Sequence, residues 1–119
     1  MLNLAHKKLE VYKISLQLIK EVYRLTKLFP KDEHFVLVSQ LRRAVISVSS
    51  NIAEGSARSS KQERRRFYEI ARSSLVEVDT QFEAALILNY IAEKDIIELE
   101  GFAESGFRML SRMISNLDA

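Results

Sequence analysis

Cysteine is missing altogether from the 119 residues, proline occurs once and glycine three times. The first absence excludes disulfides, thiolate nucleophiles and cysteine-based zinc sites together, and argues against a disulfide-dense secreted domain. Scarce proline and glycine leave little chain for turns, so the elements must be few and long. Also missing is any apolar run approaching the ~20 residues that span a bilayer, and the stretch from Met1 to Lys13 meets charge too early for a signal-peptide apolar region. These absences predict a cytoplasmic protein with no membrane partner. A net charge of only +2 selects no partner by itself; its distribution says more.

Apolar residues make up 47% of the chain and charged residues 29%. At one domain's length it should bury roughly 65% of its unfolded surface, enough for a single core over residues 1–119. No segment alternates with period two; all four long segments repeat at steps of three and four, as helices do. The expected fold is all-α: an antiparallel, up-down-up-down four-helix bundle with short connections.

The first helix carries two apolar stripes on nearly opposite sides. One is Leu9, Tyr12, Leu16, Ile19 and Tyr23; the other is Val11, Ile14, Leu18, Val22 and Leu25. One core cannot use both, so the second either covers another part of the chain or meets another subunit; it is taken as the candidate oligomer interface. Pro30 ends this helix, with Asp32 as the expected N-cap of the next. The second helix has a heptad-like seam of Val38, Leu41, Val45, Val48 and Ile52, flanked by Ser39, Ser47, Ser49 and Ser50, and should stop at Gly55 in the left-handed conformation. Ser60 and Glu63 have capping-box spacing and start the third helix at Lys61, running to about Ile91 with Phe67, Ala71, Leu75, Val78, Phe82, Ala85 and Leu86 inward. The fourth presents Ile96, Leu99, Ala103, Gly106, Leu110, Met113 and Leu117, with Gly106 marking close packing.

Charge is segregated. Arg58, Lys61, Arg64, Arg65, Arg66 and Arg72 face only Glu63 and Glu69 within their stretch, whereas from Glu77 to Glu104 Lys94 stands alone among acids. In an up-down-up-down bundle Lys7, Lys8, Arg108 and Arg112 join the basic end, which has the charge a phosphate-binding surface needs.

Enzyme constellations fail one by one. His6 and His34 lack partners at metal-ligand spacing and are expected at the surface. The segment from Gly55 to Lys61 lacks the second glycine and the Lys-Ser/Thr pair of a phosphate loop. Glu77, Asp79 and Glu83 lack the Glu-x-x-His pairs of di-iron bundles, and Glu54 and Glu77 are expected to be buried and hydrogen-bonded. No catalytic residue, metal, cofactor or small-molecule substrate is therefore expected.

The segment Phe35-Val-Leu-Val-Ser-Gln-Leu-Arg-Arg-Ala44, followed by Ser50-Asn-Ile-Ala-Glu-Gly55 and a serine-rich turn, strongly resembles the four-helix bundle proteins encoded in intervening sequences of bacterial 23S ribosomal RNA genes. Leu9-Glu-Val-Tyr-Lys13 resembles that family's opening motif, and Phe67, Ala71, Ser74, Leu75 and Glu77 fit its third helix. The resemblance implies a bacterial, ring-shaped homopentamer; relatives include the accessory protein of diversity-generating retroelements, which works with a reverse transcriptase and nucleic acid. Gln40, Arg42, Arg43, Asn51, Glu54 and Gly55 occupy the motif positions, chiefly to organise the second helix. Ala92 departs from the pattern, standing where relatives often have a serine that caps the fourth helix.

The sequence is read as a non-enzymatic homo-oligomer that binds nucleic acid, RNA before DNA, through Lys7, Lys8, Arg58, Lys61, Arg64, Arg65, Arg66 and Arg72. The alternative is a protein-protein interaction module without nucleic-acid binding.

Overall fold

A computed structural model describes residues 1–118; Ala119, the last residue of the expected domain, lies outside them. Four helices are present, α1 (Glu10–Thr26), α2 (Ser39–Ala57), α3 (Lys61–Ile87) and α4 (Ile97–Leu117), with no strand among the described residues. Short 3-10 turns occupy Ala5–Lys8, Lys31–Glu33 and Glu93–Ile96, and a π turn, His34–Val38, runs directly into α2. Each helix packs on two neighbours: α1 on α2 and α4, and α3 on α2 and α4. The 27 residues of α3 give a rod of about 40 Å, which sets the 43 Å long dimension of the molecule.

Side-chain pairs fix the directions. Along α2 and α3 the partners are Gln40 with Gln81, Ser47 with Ser74 and Ser56 with Tyr68, so one sequence falls as the other rises. Thr26 with Arg42 and Ser15 with Ser49 do the same for α1 and α2, and Arg65 with Asp118 and Arg72 with Ser111 for α3 and α4. Neighbours are therefore antiparallel. The seam of α2 is wholly buried, as are Ala71, Leu75, Val78, Phe82 and Ala85 of α3 and Leu99, Gly106 and Leu110 of α4. Tyr68 rather than Phe67 is the buried aromatic at the start of α3.

The assignment of the two stripes on α1 is corrected. Val11, Leu18, Val22 and Leu25 lie in this chain's own core, at 3% exposure or less, and Ile14 approaches Gly106 of α4. None of these four core residues faces another subunit. Leu16 and Tyr23 are instead exposed, at 43% and 37%. The buried stripe passes through Ser15, whose hydroxyl donates to the Tyr12 carbonyl at 2.6 Å and accepts from Ser49 Oγ at 2.8 Å; satisfied in this way, a serine can sit in the core.

The helix ends also differ from expectation. Asp32 caps nothing, because the chain after Pro30 turns through 3-10 and π geometry before α2 begins. Ser60 does cap α3, accepting from the Glu63 amide at 3.1 Å. At its other end α3 stops at Ile87 and not near Ile91, because Asn89 takes the left-handed conformation (φ 61°) and the Tyr90 amide reaches back to the Ala85 carbonyl at 2.9 Å. That is the six-to-one closure of a Schellman end, for which asparagine is the commonest substitute for glycine. At Ala92, which has no side-chain acceptor to cap with, Asp95 supplies only the reciprocal half of a capping box, accepting from the Ala92 amide at 2.9 Å.

The Tyr90 hydroxyl donates to Glu33 Oε2 at 2.7 Å, tying the α3–α4 turn to the α1–α2 loop. This hydrogen bond, with partial desolvation and the charges of Glu33 and Asp32, raises the phenol above the ordinary tyrosine range. A raised pKa means that the contact stabilises the fold at every pH below the ordinary tyrosine value and is lost as pH climbs through the raised one. Ultraviolet absorbance titration should therefore show one late-ionising tyrosine, absent in Tyr90→Phe and shifted down in Glu33→Gln. An unchanged late step in Glu33→Gln would contradict the assignment.

Candidate nucleic-acid interface

Antiparallel packing collects the start of α1, the end of α2, the start of α3 and the end of α4 at one end of the bundle. Lys7 and Lys8 precede α1, Arg58 follows α2, and Lys61, Arg64, Arg65 and Arg66 fill the first turns of α3, with Arg72 further along. Arg65 pairs with Asp118 and Arg72 with Ser111, in one constant register. Continuing that register places Lys61 beyond the last turn of α4, so the first turn of α3 projects.

These side chains are not equivalent. Arg58 is consumed by architecture: its guanidinium meets Glu54 at 3.0 Å and Glu63 at 3.9 Å and lies 4.8 Å from the Phe67 ring centre. Arg65 pairs with Glu69 at 3.2 Å as well as with Asp118. Arg64 donates to the Arg58 carbonyl at 2.6 Å, and Lys7 to the Leu2 carbonyl; both are held in place without losing their charge to an acid. Arg72 donates to Ser111 Oγ at 3.1 Å, again without a carboxylate. Lys8, Lys61 and Arg66 are exposed and form no ion pair among the described residues. Six of the eight basic residues thus keep uncompensated charge at or near this end. Beside Arg64, the one of these residues that reaches it, lies a hollow of about 380 Å³ lined also by His6, Ser56, Tyr68 and Asn116. His6 is buried there, edge-on to Tyr12 at 4.6 Å, and not at the surface as expected.

Residues 7–112 match the family model described as 23S rRNA-intervening sequence protein. The chain belongs to that family. No curated protein matches it. The span shared with the 23S rRNA-intervening sequence family takes in every basic residue named above.

Of the motif residues, Asn51 and Gly55 serve packing between helices, whereas Gln40, Arg43, Glu54 and Glu77 are exposed. Asn51 Nδ2 donates to the carbonyl and hydroxyl of Ser47 at 2.8 and 3.0 Å, and Ser47 meets Ser74 at 2.9 Å, joining α2 to α3. Gln40 accepts from Gln81 Nε2 at 3.2 Å, while Arg43 is exposed. Glu54 and Glu77 are exposed, correcting the expectation that they are buried; Glu54 holds Arg58 from the surface. Gly55 is also corrected. It is helical, with no positive φ, and its role is close approach: a Cβ there would lie 2.7 Å from Tyr68 Cε1 and 3.2 Å from Phe67 Cβ. Among the described residues there is no group of three or more acidic or histidine side chains suited to a metal ion, and no helix long and apolar enough to cross a membrane.

Arg42 does more than organise α2. Arg42 Nε donates to Thr26 Oγ1 at 3.0 Å and its guanidinium lies 4.4 Å from the Tyr23 ring centre. It lines a second basic groove with Lys27, Lys31, His34 and Phe35, at the end of the bundle opposite to the basic cluster. These residues come from a helix, an irregular loop and the next helix, so no run in the sequence signals them.

Proposed function

We propose that this protein is a non-catalytic, self-associating four-helix bundle that binds nucleic acid, RNA foremost, through the basic end of the bundle. The observation that carries the reading is the set of basic side chains there that lack carboxylate partners, two of them, Lys61 and Arg64, on the turn of α3 that projects past α4. Charges left uncompensated on a projecting turn are free to neutralise phosphates and release their counterions. The family's name, which refers to ribosomal RNA genes, agrees with an RNA setting, and neither that name nor any constellation of side chains suggests catalysis.

Self-association is supported by apolar surface left over after the core is filled. Leu16 and Tyr23 are exposed on α1, while Val76 of α3 and Phe107 of α4 line a groove of about 470 Å³ elsewhere on the bundle. Two different apolar faces suit a heterologous contact, in which one face of each subunit meets the other face of the next. A closed ring follows when the rotation closes, and the family resemblance implies five subunits. A ring would repeat the basic end around one rim and multiply weak phosphate contacts, provided that one strand reaches several subunits.

Titration of labelled RNA and duplex DNA tests the reading, with mass measured by light scattering on the same samples. Binding should show little sequence preference. With about three phosphate contacts per subunit, affinity should fall roughly 20- to 40-fold between ~50 and ~200 mM salt. Lys8→Glu, Lys61→Glu and Arg66→Glu together should abolish it without altering mass or helicity, since these three residues are exposed and form no ion pair among the described residues, Arg66 only lying 5.9 Å from the Phe67 ring centre. Absence of wild-type binding, or binding indifferent to salt and to the triple reversal, would put the protein-interaction module ahead, for which the exposed Leu16, Tyr23 and Phe107 already speak.

A further inference from the structure

Opposite the basic cluster, the loop between α1 and α2 folds over a groove of about 590 Å³, within the size range of sites for small ligands. Its lining includes Lys27, Lys31 and Arg42, with His34 and Phe35, and no acidic residue. Of the two carboxylates that separate Lys31 from His34, Glu33 accepts from Tyr90, and Asp32 is exposed and not part of the lining. Arg42 is pre-set: Thr26 holds Nε and the Tyr23 ring supports one face, so its terminal nitrogens are directed without being used by any ion pair among the described residues. An oriented guanidinium beside two lysines is a recognition unit for phosphate oxygens.

Phosphate alone does not account for the aromatic edge of the groove. Phe35 is 88% exposed, yet its ring is braced edge-on by His34 at 4.8 Å and 83°. A presented, braced aromatic next to fixed cations is the combination that binds nucleotides in single strands, the base stacking on the ring and the backbone meeting the charges. The segment that carries both rings is the π turn His34–Val38, and such turns concentrate at functional sites.

We infer that this groove binds a nucleotide unit, with the base stacked on Phe35 and the phosphate held by Lys27, Lys31 and Arg42. The site lies at the other end of the bundle from the basic cluster and does not rest on the function proposed for that cluster. A nucleotide can arrive free or as part of a strand, and the chemistry recognised is the same.

The intact protein, isotope-labelled, is titrated with adenosine monophosphate, with a short single-stranded oligoadenylate and with inorganic phosphate, following amide resonances by nuclear magnetic resonance. Saturable shifts of residues 27–42 are expected with the mononucleotide if free nucleotides suffice, and with the oligoadenylate alone if the strand is required; either supports the site. Phe35→Ala, a surface change that spares the core, should weaken binding about tenfold, the loss of one stacked base. Lys27→Glu with Lys31→Glu should remove it, whereas Lys61→Glu with Arg66→Glu at the far end should leave these shifts intact. The inference is overturned if neither nucleotide ligand shifts residues 27–42, if inorganic phosphate matches them and Phe35→Ala has no effect, or if the shifts vanish only on reversing the far end.

Discussion

Replacing Leu18 and Val22 together with aspartate is expected to leave no folded protein: a helical spectrum collapsed to that of a coil and no cooperative thermal transition. The two side chains are 1% and 0% exposed, so each substitution removes an apolar group worth about 2 kcal/mol of burial and sets an unpaired carboxylate in the same place, at a further cost of several kcal/mol. Two such sites on one face exhaust the 5–15 kcal/mol that holds a typical domain together. The matching change on the other stripe, Leu16→Asp with Tyr23→Asp, should keep the helical spectrum, because both residues are exposed. Its effect is expected on mass in solution. Circular dichroism and light scattering on the two double variants separate the faces, and a well-folded monomer from Leu18→Asp with Val22→Asp would return that stripe to an intersubunit role.

Gly55→Val should lower stability by about 2 kcal/mol, roughly 8 °C in the melting midpoint for a domain of this length. The reason is space. A Cβ at Gly55 meets Tyr68 Cε1 at 2.7 Å and Cδ1 at 2.8 Å, and the ring cannot swing away cheaply, being buried and hydrogen-bonded through its hydroxyl to Ser56 at 3.0 Å. Gly101 provides the control. Nothing lies within 4 Å of a Cβ built there, so Gly101→Ala should gain about 0.5–1 kcal/mol from helix propensity alone. A Gly55→Val melt matching wild type would mean that Tyr68 yields, and that the glycine has another purpose.

The seam of α2 was legible because five apolar residues at heptad spacing admit one inward face. On α1 the same reasoning met two faces of equal apolar content, and what decides between them is Ser15, which reads as polar until Ser49 and the Tyr12 carbonyl are seen to satisfy it. Gly55 was recognisable as required but not for what: a helix end and a close aromatic both ask for glycine, and only the position of Tyr68 distinguishes them. At the basic end the residues were legible and their roles were not. Arg58 and Arg65 carry the same formal charge as Lys61 and Arg66, yet Glu54, Glu69 and Asp118 absorb the first two, and Asp118 lies 53 residues from Arg65 in the chain. The groove around Arg42 and Phe35 gave no periodic signal because an irregular loop assembles it.

The hydroxyl pairs on the two flanks of α2 have a further consequence. A seam of valines and leucines looks much the same after a helix slides along its neighbour by one turn, and by itself would tolerate several alignments. Ser49 meets Ser15 on one side, and Ser47, braced by Asn51, meets Ser74 on the other. A slide of one turn would separate both pairs at once and strand hydroxyls against apolar side chains, at about 1–3 kcal/mol for each group left unsatisfied. The serines thus act as a vernier, admitting one axial setting of α1, α2 and α3 where the apolar seam alone would admit several.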